Sequence, residues 1–144
     1  MQLLKWNPEL ELGLEEIDNQ HKQLIVLINE LIVASQYGQP NSAMLAIVEK
    51  LQTYANLHFK TEEDIFTRYD YPGRAEHVAE HETFLGSIKY IRRQCEIIDT
   101  SMSDKIRDFL LHWLGTHIKI NDMEYKRYID AVDNKVDVLT RKTQ

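Results

Sequence analysis

Two pairs of metal-binding side-chain types flank a turn signal between residues 58 and 81. His58 pairs with Glu62, and His77 pairs with His81. Side chains four apart share a helix face, so each pair aims two ligand atoms at one point. Tyr71-Pro72-Gly73 separates the pairs and marks a tight connection. The stretch therefore predicts two helices folded back on each other with ligand-type residues on their facing sides. Any fold must bring those sides together around something that satisfies them.

The flanking sequence carries the periodicity of two more helices. From His21, the apolar residues Leu24, Ile25, Ile28, Leu31 and Ile32 recur at steps of three and four. Asp18 is the candidate N-cap there, and Gly38 and Pro40 are the stop. The second stripe runs from Met44 through Ile47, Leu51, Tyr54 and Ala55 to His58, Phe59, Glu62, Ile65 and Phe66, with Asn41 or Ser42 as cap. The third carries His77, Val78, His81, Phe84, Leu85, Ile88, Ile91 and Cys95. The fourth, capped by Ser101 or Ser103, runs through Ile106, Leu110, Trp113, Leu114, His117 and Ile118 to Tyr125. These patterns predict helices over about 18–37, 42–69, 74–98 and 103–132, in one domain spanning 1–144. Short connections make the expected class all-α, an up-down-up-down antiparallel four-helix bundle. Residues 1–17 have no helical period: Leu10, Leu12 and Leu14 alternate with Glu11 and Gly13. No other segment reads as a strand partner, so an extended N-terminal arm is expected, anchored by Trp6. The tail 141–144 is expected to fray.

Composition narrows the function classes. The chain has 144 residues, 43% hydrophobic and 28% charged, enough for a core of ordinary size. A formal charge of −6 argues against nucleic acid as a partner. No apolar run approaches ~18 residues, so no membrane insertion is expected. The N-terminus lacks the apolar stretch of a signal peptide. With a single cysteine, Cys95, there is no internal disulfide framework. Cys95 is expected to be a packed residue, and a cytoplasmic location is expected.

His21, His58, His77, His81 and His117 all fall on inward stripes, spread over four helices. A core holding that many imidazoles must satisfy every ring nitrogen or charge as pH falls. One metal centre removes the difficulty, because neutral imidazole is a good ligand. Glu62 lies inside an apolar stripe, where a carboxylate is costly unless a cation or donors meet it. His112 stands five residues before His117, which turns it away by ~140° on an ideal helix, so it is expected to be a surface or packing residue outside the site. Asp122 stands five residues after His117. It joins the site either as a bridging carboxylate approaching from another side or through a local bulge. Tyr125, three residues further, is placed to support it as a donor. Two other metal chemistries come to mind. His77-Val-Ala-Glu80-His81 fits the loose H-x-x-E-H pattern of inverted zinc peptidases, but the chain is short and uniformly helical. A ferritin-like oxidase calls for two Glu-x-x-His motifs, and the sequence has none.

These residues resemble the hemerythrins, in particular the single-domain bacteriohemerythrins, from Trp6 to the Tyr125 region. The family pattern is a histidine on the first helix (His21) and His-Phe-x-x-Glu on the second (His58, Phe59, Glu62). It continues with His-x-x-x-His on the third (His77, His81) and His-x-x-x-x-Asp on the fourth (His117, Asp122). The resemblance implies two iron ions. One takes His77, His81 and His117; the other takes His21 and His58 and keeps one position open. Glu62, Asp122 and a solvent-derived oxygen bridge them. It also implies reversible dioxygen binding at the open iron, beside an apolar pocket at Leu24, Phe59, Trp113, Leu114 and Ile118. None of these five is an acid or base near neutrality, and five imidazoles with two carboxylates disfavour high-valent iron. The expectation is therefore an oxygen-binding protein for storage, delivery or sensing, a monomer with no catalytic residues. An oxygen-consuming enzyme is a possible recipient. The alternatives are a di-iron enzyme consuming peroxide or nitric oxide, and an interaction domain sensing iron or redox state. Glu80 is expected to be a solvated surface residue between two ligands.

Overall fold

The computed structural model describes residues 3–97 and 102–142, with side chains as far as Asn134. Helix α1 spans Glu15–Gln36, α2 Asn41–Tyr69 and α3 Arg74–Ile97. A fourth rod is continuous but made of three parts: α4 at Ser103–Trp113, a π-helical segment at Leu114–Asp122, and α5 at Met123–Lys142. The four rods reverse direction at each short connection, giving an all-α four-helix bundle. Helix α1 packs on α2 and α4, and α2 packs on α3. The described residues contain no strand, and no helix among them is long and apolar enough to cross a membrane.

Two connections show how the reversals are made. Helix α1 ends where Gly38 takes φ +59, and the Gln39 N–H closes back on the Ala34 carbonyl at 3.0 Å. Only a residue without Cβ adopts that left-handed conformation freely. Helix α2 ends on Asp70 at φ +50, with the Tyr71 N–H donating to the Phe66 carbonyl at 2.9 Å.

The expected caps are corrected by the structure. Helix α1 begins at Glu15, three residues before Asp18, with Leu14 at its N-cap. Asp18 sits buried in the first turn and accepts from the Leu12 and Gly13 N–H groups at 2.8 and 3.0 Å. Its carboxylate ties down the arm instead of the helix end. Pro40 stands at the N-cap of α2, and Asn41 accepts from the Met102 N–H at 3.2 Å. Met102 stands at the N-cap of α4, with Ser103 the first helical residue. Ser101 lies outside the described residues. The last helix also runs ten residues beyond Val132, because no glycine or proline follows Gly115 to stop it. Arg141 and Lys142 are helical, while 143 and 144 lie outside the described residues.

The arm is extended, with one 3-10 turn at Pro8–Leu10. Leu10 and Leu12 are buried and Glu11 is exposed, as the alternation predicts. Asn29 clamps the arm at two points: it accepts from the Leu4 N–H at 2.8 Å and donates to the Leu4 carbonyl at 2.9 Å. Trp6 packs against the core, with the Lys22 ammonium 5.1 Å from its ring centre. Cys95 is a buried free thiol.

The buried interior falls into two apolar clusters. The larger includes Leu24, Phe59, Phe84, Trp113 and Ile118. The smaller gathers Leu12, Ile17, Phe66, Tyr125 and Ile129 at the other end. On α1, His21 lies between Ile17 of the smaller cluster and Leu24 of the larger; on α2, Glu62 lies between Phe59 of the larger and Phe66 of the smaller; on the fourth rod, Asp122 lies between Ile118 of the larger and Tyr125 of the smaller. A polar layer is thus sealed between two dry ones.

Candidate metal centre

The polar layer collects His21, His58, Glu62, His77, His81, His117 and Asp122, all buried, from four rods. Two groups form within it. Glu62, His77, His81 and His117 offer one ligand atom each, all within 4.8 Å of one another, and so do His21, His58, Glu62 and Asp122. Glu62 belongs to both. Its Oε2 lies 2.8 Å from His81 Nε2 and 3.1 Å from His77 Nε2, while Oε1 lies 3.1 Å from His58 Nε2. Asp122 also faces both ways, with Oδ2 3.1 Å from His21 Nε2 and Oδ1 3.1 Å from the Nε2 atoms of His77 and His117.

The π segment brings Asp122 into the layer. Its i→i+5 bonds widen the turn, so His117 and Asp122, five apart, face the same interior. The local bulge considered from sequence is therefore present, extended over nine residues.

These residues fit a pair of cations better than they fit one another. His77 Nε2 and His117 Nε2 are only 3.1 Å apart, a contact that needs a proton or a cation between two lone pairs. His58 Nε2 and Asp122 Oδ1 are buried without a hydrogen-bond partner among the described residues, although each has an opposite-type atom at 3.1 Å. Atoms that converge without hydrogen-bond geometry are what ligands of a shared ion present. The spread of 4.8 Å or less is close to the ~4 Å limit that bonds of about 2.1 Å impose on two ligands of one ion. Imidazole with carboxylate, and no thiolate, suits first-row ions such as iron and zinc.

The outer ring nitrogens explain how the lone pairs are aimed. His58 Nδ1 donates to Gln20 Oε1 at 2.7 Å, and the Gln20 amide is held in turn by donating to Thr61 Oγ1 at 2.9 Å. His117 Nδ1 donates to Glu80 Oε2 at 2.8 Å, an oxygen that also accepts from Asn121 Nδ2 at 2.8 Å. Each donation leaves the Nε2 lone pair pointing inward. Tyr125 is a donor to the layer, but its partner is Glu62 Oε1, at 3.0 Å, and not Asp122. Glu80 is a correction: half-buried rather than solvated, it orients a candidate ligand. Gln20 was not foreseen, although it stands next to His21 in the sequence. Partners of this kind are commonly worth 10–100-fold in metal affinity. Glu80→Ala is expected to weaken metal binding by about that factor in competition with a chelator; unchanged affinity would show that Glu80 does not orient His117.

Without a cation the layer balances its charge with protons. Burial opposes ionisation of Glu62, yet the charge of His58 and the contacts of His117, His58 and His77 hold it well below the carboxylate range. Burial and the Glu62 charge also oppose ionisation of Asp122, but His117 and His21 pull it down to about 2. Burial disfavours the imidazolium of His77, but Asp122 and Glu62 lift it to about 9. Burial is likewise outweighed at His117, which Asp122 and Glu62 lift to about 10. Raised histidines stabilise fully below about 6.5 and lose that contribution as pH rises through 9 to 10. Depressed carboxylates stabilise above about 4 and lose it toward pH 2. The metal-free protein should therefore be most stable between about pH 4 and 6.5 and melt on the order of 5–10 °C lower near pH 10. The metal-loaded protein should show the opposite slope, losing its ions as pH falls through the histidine range. Melting temperatures across pH with and without metal test both; a metal-free protein that gains stability up to pH 10 would contradict the proton balance.

The five apolar positions near the site are placed unequally. Leu24 and Ile118 are fully buried. Phe59 stacks on His81 (3.9 Å, 8°) and Trp113 stacks on His117 (3.9 Å, 12°), so both cover the three-histidine group. Leu114 is half-buried against the same core and lines a surface groove beneath the arm, with Leu4, Leu10 and Ile25. His112 is exposed, as expected.

Known proteins are similar to this chain in sequence and fold. A family described as the hemerythrin HHE cation binding domain matches residues 12–129. A bacteriohemerythrin of Stenotrophomonas maltophilia is 31% identical over 131 residues, covering 91% of this chain and 84% of that protein. A bacteriohemerythrin of Pseudomonas aeruginosa is 30% identical over 138 residues, covering 96% and 87%. A crystal structure of wild-type hemerythrin superposes with a TM-score of 0.77 at 26% identity, covering 88% of this chain and 97% of that one. With a family match across most of its length, and an imidazole–carboxylate layer in a four-helix bundle, the chain belongs to the hemerythrin family.

Proposed function

We propose that the chain binds dioxygen reversibly at a dinuclear non-haem iron centre and serves in oxygen storage, delivery or sensing. One observation carries the reading: two ligand groups share Glu62 but are unequal, with three imidazoles in one and two in the other. His77, His81 and His117 would fill one iron. His21 and His58 would hold the other and leave it a free position. Glu62 and Asp122 would join the two, together with a solvent-derived oxygen. Iron in such a site supplies the electrons and the open coordination position that dioxygen needs.

The chain's own residues account for reversibility. Gln20, Glu80 and Tyr125 hold His58, His117 and Glu62 in place, so these three need little reorganisation. Leu24, Phe59, Trp113 and Ile118 are buried and surround the layer with apolar surface that holds water away, and Leu114 extends that surface to the groove beneath the arm. None of these five offers a proton near neutral pH, which favours release of oxygen unchanged over turnover and supports a carrier over an enzyme. A cytoplasmic module delivering to an oxygen-consuming enzyme fits the reading. Optical spectra of the reduced, iron-loaded protein through repeated oxygenation and deoxygenation test it. Superimposable cycles are expected; steady consumption of oxygen without an oxygenated form would favour an enzyme, and zinc as the native metal would exclude both.

A further inference from the structure

Tyr54 lies one helical turn before His58 on α2, and its ring stacks on that of His58, with centroids 5.4 Å and planes 11° apart. The residue is only 6% exposed, and its hydroxyl is buried with no hydrogen-bond partner among the described residues. A buried hydroxyl in that condition costs about 1–3 kcal/mol, so native interiors rarely keep one without a use. The contrast with Tyr125 is direct. That hydroxyl is buried too, but it is committed to Glu62 Oε1. A phenol is an O–H group near neutral pH, able to donate.

We propose that Tyr54 is the hydrogen-bond donor for a small electron-rich ligand, dioxygen or a monovalent anion, bound on the His58 side of the centre. On the proposed reading the two-imidazole group keeps a free position for such a ligand, and Tyr54 stands against its His58. The inference rests on the reading of that group as the open half of a dinuclear iron site. A donor of this kind tightens binding and slows ligand loss.

Tyr54→Phe removes the hydroxyl and keeps the ring that stacks on His58. Azide is the probe, titrated optically into the iron-loaded, oxidised protein. Wild type should bind azide, and the variant should bind it about 10-fold or more weakly, the loss expected for a hydrogen bond to a charged acceptor. In the metal-free state the variant should melt at the same temperature as wild type or higher, because a stranded donor has gone. Equal azide affinity in two proteins of equal iron content would overturn the role of Tyr54 and leave the metal centre standing. A metal-free variant that melts clearly lower would also overturn it, by showing that the hydroxyl serves the fold. Failure of wild type itself to hold iron or azide would overturn the metal-site reading and this inference together, and it is seen before any variant is compared.

Discussion

Replacing Glu62 by alanine is expected to abolish metal binding in both groups at once. Its two oxygens reach His58 on one side and His77 and His81 on the other, so no other single residue except Asp122 bears on both. Iron counted after anaerobic reconstitution should fall from about two per chain, one for each ligand group, to nearly none. The metal-free variant should also be weaker. Removing one partner of a buried charged cluster typically costs about 3–5 kcal/mol, because what remains is uncompensated. That corresponds to a melting temperature lower by on the order of 10 °C for a chain of this size. Glu62→Gln separates shape from charge: it keeps volume and an acceptor for the Tyr125 hydroxyl, yet should still lose the metal. One iron retained in either variant would show that the two groups do not share this carboxylate.

The second large effect is expected at His81. His81→Ala removes one imidazole of three from a single group and opens a gap beside Phe59, whose ring stacks on it at 3.9 Å. Metal binding and folding are coupled in such sites, so iron and stability should fall together. A ligand at about 1,000 times its Kd stabilises by ~4.1 kcal/mol, so a ~100-fold loss of affinity removes about 2.7 kcal/mol of that. His112→Ala is the control, since His112 is exposed and outside both groups. It should leave iron content and melting temperature unchanged. A His81→Ala protein with full iron content would remove His81 from the site.

The bundle and the seven polar side chains at its centre were legible because two periodicities coincide. Ligand types at His58 and Glu62, and at His77 and His81, share the helical spacing of the apolar residues around them, so burial and convergence followed together. Asp122 was legible only as a choice between a bulge and a sideways approach. The π segment that decides it depends on bonds that no side-chain pattern announces. The caps misled for a different reason. Asp18, Asn41 and Ser103 are residue types that favour helix N-termini, but a cap is a local rule open to longer-range competition. Asp18 meets two backbone N–H groups of the arm where Gly13 turns at φ +82, and that contact wins. Glu80 was hidden because α3 taken alone turns it toward solvent. The π segment opposite supplies His117 Nδ1 and Asn121. Tyr54 reads as one more aromatic in a core stripe; that its hydroxyl lacks a partner emerges only when the four rods are assembled.

On the proposed function, two irons in this layer together bind one molecule of dioxygen and give it back. The most direct measurement is stoichiometric: load the protein anaerobically with ferrous iron, count iron per chain, add measured oxygen, then recover it under argon. The account predicts about two irons in the two groups, one dioxygen taken up per pair, and nearly all of it returned with the irons again ferrous. Uptake without return, or full oxygen binding with only one iron per chain, would contradict it.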